Sequence, residues 1–277
     1  MPLVGTGEIV ATAVSGRRGV GAFNLVHLEH ATAIARGAES AGAPVILQIS
    51  ENCVRYHGAL EPILAGTLAV ARGADVPVAV HLDHATSVDL VREAVLLGVG
   101  SVMYDASTLP YEENVAETAR VVGWCHERGV WVEAELGEVG GKDGVHAPGA
   151  RTKPSEAVAY TSATGVDALA VAVGSSHAML TRDAVLDLDL IGELREAVPV
   201  PLVLHGSSGV PDATLTAAVE RGMTKINIAT QLNKVYTGEL RRVLDASPAM
   251  VDPRKYAGPA RDAVATEITR LLAVLHA

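Results

Sequence analysis

Three histidines stand at the far ends of separate apolar runs: His84 in "VPVAVHLDH" (76–84), His177 in "DALAVAVGSSH" (167–177) and His205 in "PLVLHGSSG" (201–209). Neutral imidazole is a good ligand for zinc and similar divalent ions, and three protein ligands with one open position describe a catalytic rather than a structural site. Glu135 and Asp105 end two further runs, "VWVEAELG" (130–137) and "SVMYDAS" (101–107), as auxiliary donors or as acceptors that orient the imidazoles. Asp83 adjoins His84 and has three roles open to it: a fourth ligand, an orienting acceptor, or a general acid/base beside the cation. With three imidazoles already on the ion, the acid/base role is favoured. Neighbours on an extended strand point to opposite faces, so that role requires the backbone to turn at 83–84. His81 is either an orienting neighbour or a spare ligand.

A second constellation lies in "LHGSSGVP" and "NIAT". Gly206, Ser207, Ser208, Gly209, Ala229 and Thr230 supply backbone N–H groups and small hydroxyls that a phosphate can approach closely. A cation, a phosphate cradle and a carboxylate together suit chemistry on a phosphorylated hydroxyketone, in which the ion polarises the ketone and holds an enediolate. Only five lysines occur, Lys142, Lys153, Lys225, Lys234 and Lys255. None ends an apolar run, and Lys225 is read at the start of the eighth, on the face opposite the site, so a Schiff-base mechanism is disfavoured.

The elements that must gather these residues are short Val/Ile/Leu-rich runs, each followed by a segment of helical period. Eight are counted: 19–24, 44–50, 76–84, 101–107, 130–137, 167–177, 201–209 and 224–230. Eight βα units predict a closed (β/α)₈ TIM barrel, in which active sites form at the C-terminal strand ends. Asn24, Ser50 and Asn227 also fall at such ends. The stretch 137–154 is too long and Gly-rich for an ordinary βα loop and is a candidate lid. The reading is one domain over 1–277, with 248–277 a C-terminal helical extension whose stripe of Val264, Ile268, Leu271, Leu272 and Leu275 packs on the barrel or on a second subunit.

The composition agrees. Hydrophobic residues make up 49% of the 277, enough for one large core, and the formal charge of −10 argues against nucleic acid or an anionic membrane as partner. Cys53 and Cys125 suggest neither a disulfide framework nor a zinc knuckle. Neither a leader nor a membrane span is read, and a cytoplasmic enzyme is expected.

"HLDHA", "SVMYDAS", "VEAELGEVGG", "GVDALAVAVGSSH", "PLVLHGSSGVP" and "KINIAT", in this order, resemble the class II, metal-dependent fructose-bisphosphate and tagatose-bisphosphate aldolase family, from 22–24 through "DPRKY" at 252–256. The resemblance implies zinc, or another divalent ion, on His84, His177 and His205, with Asp83 exchanging the proton of the C4 hydroxyl. It implies that Asn227 holds the enediolate and that Gly206, Ser208 and Thr230 contact the phosphate of the dihydroxyacetone half. Asn24, Ser50 and Arg254 would serve the other half, with Arg254 reaching across from a second subunit of a homodimer or homotetramer. A sodium or potassium ion would sit near the first phosphate.

Three positions depart from the family pattern. "GGKDG" stands where the family has Gly-Gly-x-Glu-Asp, which leaves Asp143 as the carbon-proton base with Glu138 the alternative. Ala178 replaces a glycine and Gln231 an acid. Fructose 1,6-bisphosphate is the expected substrate and tagatose 1,6-bisphosphate the runner-up. A metal-dependent barrel hydrolase or epimerase, and a binding protein that has lost turnover, are the readings from other classes.

Overall fold

The computed structural model describes residues 2–136, 151–176 and 179–277. Eight parallel strands close into a barrel in chain order: β1 (Val20–Asn24), β2 (Val45–Ser50), β3 (Val78–Ala85), β4 (Ser101–Tyr104), β5 (Trp131–Glu135), β6 (Ala168–Ala170), β7 (Leu202–Leu204) and β8 (Met223–Ile228), which pairs back onto β1. The TIM barrel read from the sequence is the fold observed. The strands are buried on both faces, which is why they read as continuous apolar runs rather than alternating ones.

The helices among the described residues are α1 (Thr6–Gly16), α2 (Leu28–Ala41), α3 (Glu51–His57), α4 (Glu61–Gly73), α5 (Val88–Leu96), α6 (Tyr111–His126), α7 (Pro154–Thr164), α8 (Leu188–Ala197), α9 (Asp212–Arg221), α10 (Thr230–Ala246) and α11 (Pro253–Val274). Ser87 caps α5 by accepting from the N–H of Leu90, as a serine before a helical run should. α1 was not anticipated. Its Ile9, Val10 and Ala13 pack with Val20, Ala22, Ile46 and Ala79, and so cover the N-terminal halves of the strands.

Two strands are shorter than their apolar runs suggest. β6 stops at Ala170 and β7 at Leu204, and the chain turns soon after at Gly174 and Gly206, both with positive φ. The C-terminal stripe Val264, Ile268, Leu271, Leu272 and Leu275 is buried within this chain, where α11 lies on α2. The two helices meet at Gly37, where a Cβ would come within 2.6 Å of the Ala265 carbonyl oxygen and of Ile268.

His30, on α2, is buried, stacks on His27 at 4.2 Å and accepts from the N–H of Val26 through Nδ1. Burial first, then the neighbouring His27, lowers its pKa to about 4, and protonation would turn Nδ1 from acceptor to donor against that N–H. The unfolded chain binds this proton at about pH 6.5 and the folded chain only near 4, so stability is full above 6.5 and falls as pH drops through that window. The expected loss is about 3 kcal/mol. Denaturant titrations at pH 7 and pH 4.5 should show a smaller acid loss in His30→Gln than in the parent; equal losses would discount His30.

Candidate active site

The C-terminal strand ends enclose a cavity of about 430 Å³ lined by Asn24, Ser50, Glu51, Asn52, Arg55, Asp83, His84, Thr86, Asp105, Gly206, Ser208, Asn227, Ala229 and Thr230. Asp83 and His84 both line it although they are consecutive. The β3–β4 register shifts between Leu82 and Ala85, and His84 sits at φ +49, so the backbone turns where the two side chains need it to. A positive φ at a histidine is uncommon and marks a site where local strain is held by its surroundings.

His84, His205 and Glu135 each offer a ligand atom within 4.8 Å of the others. The imidazole nitrogens are sorted by their other partners. His84 Nδ1 lies 3.0 Å from Asp105 Oδ2, a contact that fixes the orientation of the ring. His205 Nε2 lies 3.0 Å from Glu133 Oε1, and Nδ1 lies 3.0 Å from Glu135 Oε2. Asp105 is thus outside the ligand cluster and holds the His84 ring, its second oxygen taken by the N–H and hydroxyl of Ser107. His177 and Ala178, and the proton-transfer candidates Asp143 and Glu138, lie outside the described residues.

The donor chemistry fits a divalent ion. Burial works against a charged His205, but hydrogen bonds to Glu133 and Glu135 outweigh it and push its pKa up to about 10. Those carboxylates favour positive charge at this ring, which a cation held there would supply. Asp83 behaves oppositely: burial would raise its pKa, but the positive charge of His84, then of Lys225, holds it below the usual carboxylate range. Its oxygens accept from Asn24 Nδ2 at 2.7 Å and Asn227 Nδ2 at 3.4 Å, which fixes the carboxylate plane.

Gly206 has φ +68, and a Cβ there would meet the backbone of Ser176 at 2.5 Å, so the turn excludes any larger residue. Ser208 Oγ accepts from the N–H groups of Ala229 and Gln231 at 3.2 and 3.1 Å. Both lone pairs are then engaged, leaving the hydroxyl proton to donate to an anion. Gln231 also donates through Nε2 to Glu267 on α11 at 2.9 Å. Ser207 and Gly209 are buried and do not line the cavity: Ser207 Oγ donates to the Leu204 carbonyl, and the Gly209 carbonyl accepts from Ala184 N–H. Arg254 does not line it either. Its guanidinium is 89% exposed and paired with Asp252.

One reading of the lysines is corrected. Lys225 is not on the opposite face but fully buried inside the barrel, its Nζ 2.8 Å from Glu133 Oε2 and donating to Asn227 Oδ1 at 2.8 Å. Lys225 and Glu133 were both missed, and the signal was available. Period-2 alternation along "KIN" and "EAE" puts Lys225 beside Asn227 and Glu133 beside Glu135 on the inward face. His81 is also fully buried, its Nδ1 2.9 Å from Ser101 Oγ, and burial, then Lys225, drives its pKa down to about 3. Glu51, Asn52, Arg55 and Thr86 complete the wall that the sequence did not single out.

The family model for fructose-bisphosphate aldolase class-II matches residues 4–277. The fructose-bisphosphate aldolase of Geobacillus stearothermophilus is 40% identical over 268 residues, covering 95% of this chain and 93% of that protein, and that of Staphylococcus aureus is 40% identical over 268 residues, covering 95% and 94%. Among solved structures, the YdjI aldolase of Escherichia coli K12 superposes with a TM-score of 0.86 at 29% identity, covering 99% of this chain and 97% of that one. A cluster able to hold a metal at the strand ends of a closed eight-stranded barrel and a match over nearly the whole length agree: this chain belongs to the class II fructose-bisphosphate aldolase family, a family of carbon–carbon lyases.

Proposed function

We propose that this chain reversibly cleaves fructose 1,6-bisphosphate into dihydroxyacetone phosphate and glyceraldehyde 3-phosphate. The observation that carries the reading is the convergence of His84, His205 and Glu135 within 4.8 Å, with His84 and the buried Asp83 side by side in the cavity wall. His84 and His205, joined by His177 on the family pattern, would hold zinc, with Glu135 as a further donor. When bound, the ion supplies Lewis acidity to the ketone oxygen and steadies the negative charge that develops there.

The chain's own residues do the rest. Ser208, Gly206 and the first N–H groups of α10 at Thr230 receive the phosphate of the dihydroxyacetone half. Asp83, held by Asn24 and Asn227, takes the proton of the C4 hydroxyl as the C3–C4 bond breaks and the C4 oxygen becomes the aldehyde; the bond's electron pair stays with C3. Asn227 directs its Nδ2 toward the oxygens of that half because Lys225 holds its Oδ1. Asp143 or Glu138 then returns a proton to C3. Sodium or potassium beside the cradle, Arg254 of a second subunit of a homodimer or homotetramer at the distal phosphate, and a cytoplasmic location complete the proposal. No helix among the described residues is long and apolar enough to cross a membrane.

The test is aldehyde formation measured side by side on fructose and tagatose 1,6-bisphosphates. Cleavage of the fructose compound should dominate, vanish on chelation and return with zinc. Phosphate release or epimer formation without cleavage would overturn the reading, and faster turnover of the tagatose compound would move the substrate.

A further inference from the structure

Arg55 is the one Lys or Arg side chain among the described residues that line the cavity, where Glu51, Asp83 and Asp105 are its acids. A substrate with two phosphates must enter that cavity in a chain of formal charge −10. Among the described residues lining the cavity, the Gly206–Ser208 cradle offers one phosphate only neutral donors, and Arg55 is the cation that can compensate a second.

Arg55 is aimed by its neighbour. Its Nη2 donates to Glu51 Oε1 at 2.6 Å, while Glu51 Oε2 accepts from the N–H of Thr86 at 2.6 Å and from the Thr86 hydroxyl at 3.0 Å. The carboxylate is therefore anchored on β3's exit loop and presents the guanidinium in a fixed direction. One of five N–H donors is used, among the described residues, and the side chain is 64% exposed at the cavity rim. It stands on the β2 side, next to Ser50 and past the β1 strand that carries Asn24, whereas the cradle follows β7 and β8. A ketose bisphosphate with one phosphate in the cradle and C4 at Asp83 has to extend its other end along this wall.

We propose that Arg55 is a specificity-determining residue, forming a charge-assisted pair with the phosphate of the aldehyde half. This rests on the reading of the chain as a bisphosphate aldolase. It places within one protomer a cation that Arg254, paired with Asp252 away from the cavity, does not supply there.

The experiment runs the reaction in the condensation direction, with dihydroxyacetone phosphate and either glyceraldehyde 3-phosphate or unphosphorylated glyceraldehyde. In Arg55→Gln the preference for the phosphorylated aldehyde, as a ratio of kcat/KM values, should fall about ten- to hundred-fold, mostly through KM. Arg55→Lys should recover part of it. If Arg55 merely props Glu51, both aldehydes will suffer equally and Glu51→Gln will reproduce the defect, which overturns the proposal. So does an unchanged ratio in Arg55→Gln, or an Arg254→Gln variant that abolishes the whole preference alone. A parent enzyme with no aldol activity toward either aldehyde would instead sink the functional reading itself, a result the parent reports before any variant is made.

Discussion

Asp83→Ala is expected to fold and keep its metal while losing about 10²- to 10⁴-fold in bisphosphate cleavage, the range for removal of a general acid/base. The argument is positional. Asp83 is 2% exposed, faces the cavity and is gripped by two amides, yet among the described residues it lies outside the cluster of His84, Glu135 and His205 that could hold a metal. Removing the carboxylate leaves the amides of Asn24 and Asn227 in a cavity open to water, so the fold should lose little. Metal content measured on the purified variant separates this from ligand loss. Exchange of the carbon-bound proton of dihydroxyacetone phosphate with solvent should survive, because that step is assigned to a different base. Unchanged cleavage would remove Asp83 from the mechanism, and loss of exchange together with cleavage would mean that the substitution disturbed the cation instead.

How far the sequence discloses such a site depends on which interaction places each residue. The strand ends were legible because barrel closure is dictated by eight apolar runs at βα spacing, and residues as distant as Asn24 and Asn227 must then share a rim. The turn at Asp83–His84 was legible only as a requirement: nothing local marks a bulge in "HLDHA", which arises from the register between β3 and β4. The roles of Ser207 and Gly209 could not be told from those of Gly206 and Ser208, since all four fit the same turn chemistry and only the burial differs. α1 carries a modest apolar stripe that becomes informative only when the barrel end it covers is known. Lys225 was misplaced for a different reason. Its position near the start of a strand does not give its position in the molecule, because the side chain is long enough to reach Asn227 and Glu133.

That buried lysine leads to the second large effect. Lys225→Met should destabilise the fold by about 3–5 kcal/mol, as breaking a buried pair does when one charge is left behind. For a chain of this size the melting temperature should fall by roughly 6–15 °C. Glu133 is the charge stranded: it is fully buried, and although burial alone would raise its pKa, Lys225 and then His205 hold it well below the ordinary range. The double variant Lys225→Met/Glu133→Gln should recover most of the stability, because the amide oxygen still accepts from His205 Nε2 while the unpaired charge is gone. Activity should not recover with it. In both variants the Asn227 amide has lost the ammonium that fixes its Oδ1, and a flipped amide would turn an oxygen toward Asp83 instead of a donor. Stability restored with kcat still depressed is therefore the signature expected of Lys225 as the group that orients Asn227. Recovery of both together would show that the lysine matters only for balancing buried charge.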